Sequence, residues 1–165
     1  MGSGKSTAGK KLSKLLRLRF IDLDYYIEQK EKLSVQSIFD NFGESVFRKM
    51  EQTSLNEIIT NQKNTVVSLG GGTVCYENNL ELIKSNGLLI FIELPAESIA
   101  YRLEKSKVQR PLIKNLKGAE LVGFINEKLN QRKIFYDKSH FVVSGINVTP
   151  QILQQKIIEF KNKNI

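Results

Sequence analysis

Cysteine is nearly absent: the chain has 165 residues and one Cys, Cys75, so no internal disulfide can form. That excludes a disulfide-framed secreted scaffold and favours a reducing cytosol. Long apolar runs are absent too. The longest, Leu88 to Ile92, is far too short to span a bilayer. No basic-then-apolar leader opens the chain, which starts on Met-Gly-Ser-Gly-Lys. Neither a fixed-period repeat nor a Gly/Ser/Pro-rich linker divides the sequence, which argues for one domain over residues 1–165. Acidic residues are in deficit, 17 against 25 basic ones, a formal charge of +8. That balance suits a nucleic-acid binder or an enzyme handling polyanions, and scattered lysines on a solvated surface are the plain alternative.

With 41% hydrophobic and 25% charged residues, the composition is that of a globular chain able to build its own core. Helical and extended patterns alternate. Residues 6–18 carry Ala8, Leu12, Leu15 and Leu16 on one helical face, followed by a short strand at 20–23. Residues 24–32 and 35–62 read as helix, 65–69 as strand, 77–85 as helix and 88–94 as a strand buried on both sides. Helix at 96–104, a basic connection at 106–117, helix at 118–137, strand at 140–144 and a last helix from Thr149-Pro150 complete the pattern. Strands separated by helices imply a mostly parallel sheet in a three-layer α/β/α arrangement, with ligands beyond the C-terminal strand ends.

Gly2-Ser3-Gly4-Lys5-Ser6-Thr7 is the second half of the pattern G-x-x-x-x-G-K-[ST] at the head of an amphipathic helix. Glycines let backbone N–H groups turn toward phosphate oxygens, Lys5 would reach the β/γ-phosphates and Ser6 would ligate Mg²⁺. The pattern's first glycine would fall one position before Met1, and no hydrophobic strand leads into the loop. The expectation is therefore a chain short of its native first residues and of a first, central strand.

Asp22 and Asp24 stand two apart at the end of a strand, which would aim both carboxylates the same way, toward a hydrated Mg²⁺. A solvated turn is the alternative. Arg48 and Glu51 are three apart on one helix, so Glu51 can hold the Arg48 fork for a carboxylate. Gly70-Gly71-Gly72 after a strand points to close approach of backbone and ligand. Arg110-Pro111-Leu112, in the basic connection, suits a lid that brings an arginine to phosphates. Cys75 and His140 have no metal-spaced partners and read as structural residues.

In order and spacing, G-S-G-K-S-T, D-x-D, F-R-x-x-E, G-G-G, R-P-L and the arginine of L-N-Q-R resemble shikimate kinases over nearly the whole chain. The resemblance implies a five-stranded P-loop NTPase fold, residues 33–62 as substrate-binding helices and 106–117 as a lid. It implies transfer of the ATP γ-phosphoryl group to the 3-hydroxyl of shikimate, on the route to chorismate and the aromatic amino acids, by a cytoplasmic monomer. The residues carried over as catalytic are Lys5, Asp24 and Arg110. Gly2 to Thr7 with Arg110 would bind ATP, and Ser6 and Asp22 would hold Mg²⁺, the aspartate through water. Asp24, Arg48, Gly70, Gly71, Gly72 and Arg132 would bind shikimate, with Glu51 orienting Arg48 and Phe39 and Phe47 as an apolar wall. An aspartate of ordinary pKa, about 3.9, is a poor base for an alcohol, so Asp24 is expected to position first and accept a proton late. One departure lies at Gly145 to Pro150, where Val148 stands in place of an adenine-stacking arginine.

Two rivals remain at this level. Another small P-loop kinase, such as a gluconate kinase, fits the phosphate loop but not the D-x-D, F-R-x-x-E and G-G-G set. A catalytically dead nucleotide- or nucleic-acid-binding module fits the charge, but no aromatic-interleaved basic stripe is visible.

Overall fold

Short β-branched and aromatic stretches alternate with amphipathic helices, and the computed structural model, which describes residues 2–106, 113 and 115–163, follows that rhythm. Helix α1 (Lys5–Leu16) leads to β1 (Arg19–Asp22), α2 (Leu23–Glu31) and α3 (Val35–Asn61). Strand β2 (Thr65–Ser68), a 3₁₀ turn (Thr73–Cys75), α4 (Asn79–Asn86) and β3 (Ile90–Glu93) come next. Then come α5 (Ala96–Glu104), α6 (Gly118–Tyr136), β4 (Phe141–Ser144) and α7 (Pro150–Lys163).

The strands form two parallel pairs instead of one sheet. In the first, Arg19 lies opposite Thr65 and Asp22 opposite Ser68; in the second, Ile90 lies opposite Phe141 and Glu93 opposite Ser144. Alternate side chains go to opposite faces, as the strand period of two requires. Val66, Ile90 and Ile92 pack with Ala8 and Leu12 of α1 and Leu153 of α7. Val67 packs on the other face with Leu55 and Ile58 of α3, and the Phe91 ring stacks on Tyr136 of α6. Helices therefore cover both faces, giving the three layers.

Between β2 and β3 lies a mostly apolar cavity of about 200 Å³, walled by Val66, Val67, Ile90 and Ile92 and closed by Leu12 and Ile125. Among the described residues neither strand has a ladder partner along this inner edge. That gap corrects the expectation of a β3 buried on both sides. Ile90, Phe91 and Ile92 are only half-buried and Glu93 is exposed, as the inner edge of β3 faces the cavity instead of a ladder partner among the described residues. Leu15 of α1 is likewise exposed, outside the face that packs on the strands.

Glycine sets one bend. Gly43 takes φ 79° and ψ 173° inside α3, a region open essentially to glycine, and breaks that helix into two segments. The helical period runs on either side of the bend, so the pattern predicts one straight helix where two meet at an angle. Ser34 caps the first segment by accepting the Ser37 N–H at 3.0 Å.

Candidate active site

The phosphate loop is a helix start left open. Gly4 caps α1 in the left-handed conformation (φ 85°), no side chain caps the helix, and its first turn holds no acidic residue. Its first N–H groups are thus available to an anion, with the positive end of the helix dipole behind them. Gly2, at φ 66°, makes the other left-handed turn. Lys5 is half-buried and lines the end of the inter-strand cavity with Ser3, Ser68, Gly70 and Arg132.

The C-terminal ends of β1 and β2 meet beneath this loop. Asp22 and Ser68 are opposite one another in the register, and Ser6 of α1 reaches both. Its hydroxyl donates to Asp22 Oδ2 at 2.5 Å and lies 3.2 Å from the Ser68 hydroxyl. Three oxygens converge at one corner of the loop. Asp24 occupies a different place from the one expected. The helix begins at Leu23, whose side chain is fully buried, so Asp24 sits in the first turn of α2 and not on a strand with Asp22. Its carboxylate is turned to the glycine run: a Cβ on Gly70 would lie 3.4 Å from Asp24 Oδ1.

On the opposite side Arg48 is half-buried and clasped from its own helix. Its Nη1 donates to Glu51 Oε2 at 2.7 Å and its Nη2 to Glu44 Oε1 at 2.9 Å. Glu51 is completely buried and accepts the Thr73 hydroxyl on its other oxygen at 2.5 Å. Burial raises the Glu51 carboxyl above the ordinary range, with Arg48 and Thr73 pulling it back. The Arg48 guanidinium rises because two carboxylates face it, more than offsetting its own burial. We take the pair as ionised: a guanidinium stays protonated at any ordinary pH, and a proton on Glu51 would leave that charge only the exposed Glu44 as counter-ion.

The sequence pattern points to a ligand lying close to the glycine run; at Gly70 and Gly72 the structure places the protein's own side chains there. A Cβ at Gly70 would lie 2.7 Å from Glu51 Oε1, and one at Gly72 only 2.5 Å from Arg48 Nη2. At these two positions a larger residue would have to displace a charged side chain of the site that is itself tied by ion pairs or hydrogen bonds. Arg132 of α6 lines the same cavity as Gly70 and Gly71. Both Arg132 and Arg48 act on the half-buried thiol of Cys75, which burial raises and the two cations lower.

Phe39 and Phe47 pack with ring centroids 4.7 Å apart and planes tilted by 39°, but Phe47 is 3% exposed and belongs to the core with Ile38 and Leu55. Only Phe39, half-buried, keeps surface for a wall. Arg110, and with it most of the 106–117 lid, lies outside the described residues. Val148 packs against the cluster of Ala8 and Leu12. Arg102 of α5 was not singled out by its pattern; it donates to the Ser3 carbonyl of the phosphate loop at 3.2 Å.

A family model described as shikimate kinase matches residues 1–161. The chain belongs to the shikimate kinase family, and its fold is that family's P-loop fold. The shikimate kinase of Parabacteroides distasonis is 42% identical over 139 residues, covering 84% of this chain and 80% of that one. That of Flavobacterium johnsoniae is 35% identical over 160 residues, 96% and 93% of the two chains. Among solved structures, the shikimate kinase of Bacteroides thetaiotaomicron superposes with a TM-score of 0.89 at 31% identity, over 98% of this chain and 94% of that one. The Acinetobacter baumannii shikimate kinase in complex with shikimate superposes at 0.85 and 30% identity, over 99% and 89%. Membership makes this kinase a transferase that uses ATP, and it sets aside the gluconate-kinase and binding-module readings. Among the described residues no helix is long and apolar enough to cross a membrane.

Proposed function

We propose that this chain transfers the γ-phosphoryl group of ATP to the 3-hydroxyl of shikimate, acting as a monomer in the cytosol. One arrangement supports the reading: Arg48 presses on Gly72, Asp24 faces Gly70, and Arg132 of a separate helix lines one cavity with Gly70, Gly71 and Lys5 of the open phosphate loop. A carboxylate held by two guanidinium groups at one end and a phosphate loop at the other fits an anionic, hydroxylated acceptor.

In this reading the N–H groups of Gly2 to Thr7 and the Lys5 ammonium hold the β- and γ-phosphates. The Ser6 hydroxyl and the Asp22 carboxylate are hard oxygen donors already in contact, a donor set that suits Mg²⁺, with phosphate oxygens and water as its other ligands. Bound there, Mg²⁺ would neutralise phosphate charge. Arg48 and Arg132 grip the shikimate carboxylate, aided by the backbone of Gly71 and Gly72, and Asp24 accepts hydrogen bonds from the ring hydroxyls. The 3-hydroxyl oxygen bonds to the γ-phosphorus, the bond to the β–γ bridging oxygen breaks, and ADP leaves with that electron pair. The hydroxyl proton passes to Asp24 late in the transfer, because charge placement matters more to this reaction than base strength. Arg110 is assigned to the ATP phosphates.

ATP consumption with and without shikimate tests the reading. Turnover should depend on shikimate, and gluconate should not replace it; shikimate-independent turnover would overturn it. Asp24→Asn should lower kcat about 10²-fold or more while ATP still binds. Near-normal turnover in that variant would remove Asp24 from the mechanism.

A further inference from the structure

Tyr136 closes α6, and its side chain is held at two points. One face stacks on Phe91 of β3, with centroids 4.2 Å apart and planes 16° off parallel. Its hydroxyl donates to the Gly71 carbonyl at 2.6 Å, a contact spanning 65 positions of sequence. Arg132 lies four residues earlier, hence one turn away on the same side of α6. A phenol that has given its proton to a carbonyl still has lone pairs to offer a guanidinium. Both side chains line the same end of the inter-strand cavity, beside Gly70 and Gly71. Burial raises the phenol pKa above its usual value against the pull of the nearby Arg132 charge. The group therefore remains a neutral phenol, whose hydroxyl gives its proton to Gly71 and keeps its lone pairs toward that arginine's side of the helix.

The two arms of the carboxylate grip are then built alike. Arg48 is oriented by Glu51, which is fixed in turn by Thr73 next to the glycine run. For Arg132 no carboxylate partner is found among the described residues. We propose that Tyr136 is the positioning residue of this second arm, holding Arg132 and the Gly71 backbone in one arrangement for the acceptor's carboxylate. A neutral partner suits the role. An acid beside Arg132 would compete for its charge, whereas a phenol orients the fork and leaves the charge to the substrate. Tyr136 itself touches no reacting atom.

This inference rests on the function proposed above, and the test separates the two. Tyr136→Phe keeps the ring on Phe91 and removes only the hydroxyl. The shikimate KM should rise about tenfold, with the ATP KM, kcat and Tm near wild type. With the methyl ester of shikimate, which carries no carboxylate charge, the substitution should make no difference. In an Arg132→Ala background it should add nothing further, since the arm it orients is gone. Equal effects on acid and ester, or an unchanged shikimate KM, would overturn the positioning role. A fall in Tm with KM unmoved would show a purely structural tyrosine. Wild-type protein that does not turn over shikimate would instead overturn the reading of function.

Discussion

His140 shows how one side chain can carry a pH dependence with no part in the chemistry. Its Nδ1 accepts the Leu89 N–H at 3.0 Å where β3 begins, and its ring meets Phe160 edge-on. The bond requires an unprotonated Nδ1. Burial lowers the imidazole pKa from the usual 6.5, and the Lys84 ammonium, itself donating to the Lys138 carbonyl, adds to the shift. The folded state thus binds this proton less readily than the unfolded chain. The contribution is fully present above the unfolded pKa and is lost as pH falls through the folded one. Tm should therefore fall with decreasing pH below about 6.5. His140→Asn, which keeps an acceptor near that position, should flatten this part of the curve, as measured by melting from pH 8 to pH 5. Equal slopes in both proteins would mean that carboxylates alone set the acid response.

At the scale of elements, the glycine run and α3 act as one unit. Gly72→Ala would place a methyl carbon 2.5 Å from Arg48 Nη2 and 2.7 Å from its Cζ. A free arginine could swing aside, but this one is tied to Glu44 and Glu51, so the clash turns it away from its anion site and loosens the buried Glu51. The shikimate KM should rise about tenfold or more with the ATP KM unchanged, as steady-state kinetics with each substrate varied would show. A parallel rise in both would place the damage elsewhere. The Arg48–Glu51 pair was legible in the sequence because both ends lie within one helical turn. The phosphate loop was legible for the same reason, its chemistry being local. Asp24 was misplaced because a two-residue spacing around a buried Leu23 reads as a strand face, whereas the backbone leaves the strand at Asp22 and turns helical from Leu23. Tyr136 gave no signal at all: its meaning is a hydrogen bond to Gly71, made only when α6 folds over the glycine run.

For the whole molecule the unsatisfied feature is the slot between the strand pairs. The parallel order places β1 and β4 outermost and turns β2 and β3 toward one another, each with an inner edge that lacks a ladder partner among the described residues. Backbone N–H and C=O groups facing an apolar cavity are costly, and a strand lying between two others would satisfy both edges at once. The phosphate loop stands at the mouth of the slot, since Ser3 and Lys5 line it and Gly2 packs near Ile99 and Leu103. An extended segment joined ahead of Met1 could therefore enter parallel to β2 and β3. Its alternate side chains would meet Leu12 and Leu153 on one face and Ile125 on the other. Fusing five Val/Ile residues and a glycine to Met1 should raise Tm by about 10 °C, since each 1 kcal/mol is worth about 2–4 °C at this size. A Ser/Asn-rich extension of equal length should leave Tm unchanged. The apolar fusion should also raise ATP turnover with shikimate, because a strand fixed at both edges fixes the loop that follows it. If both extensions melt alike, the slot accepts no strand, and the two pairs must be held together by α1, α6 and α7 alone.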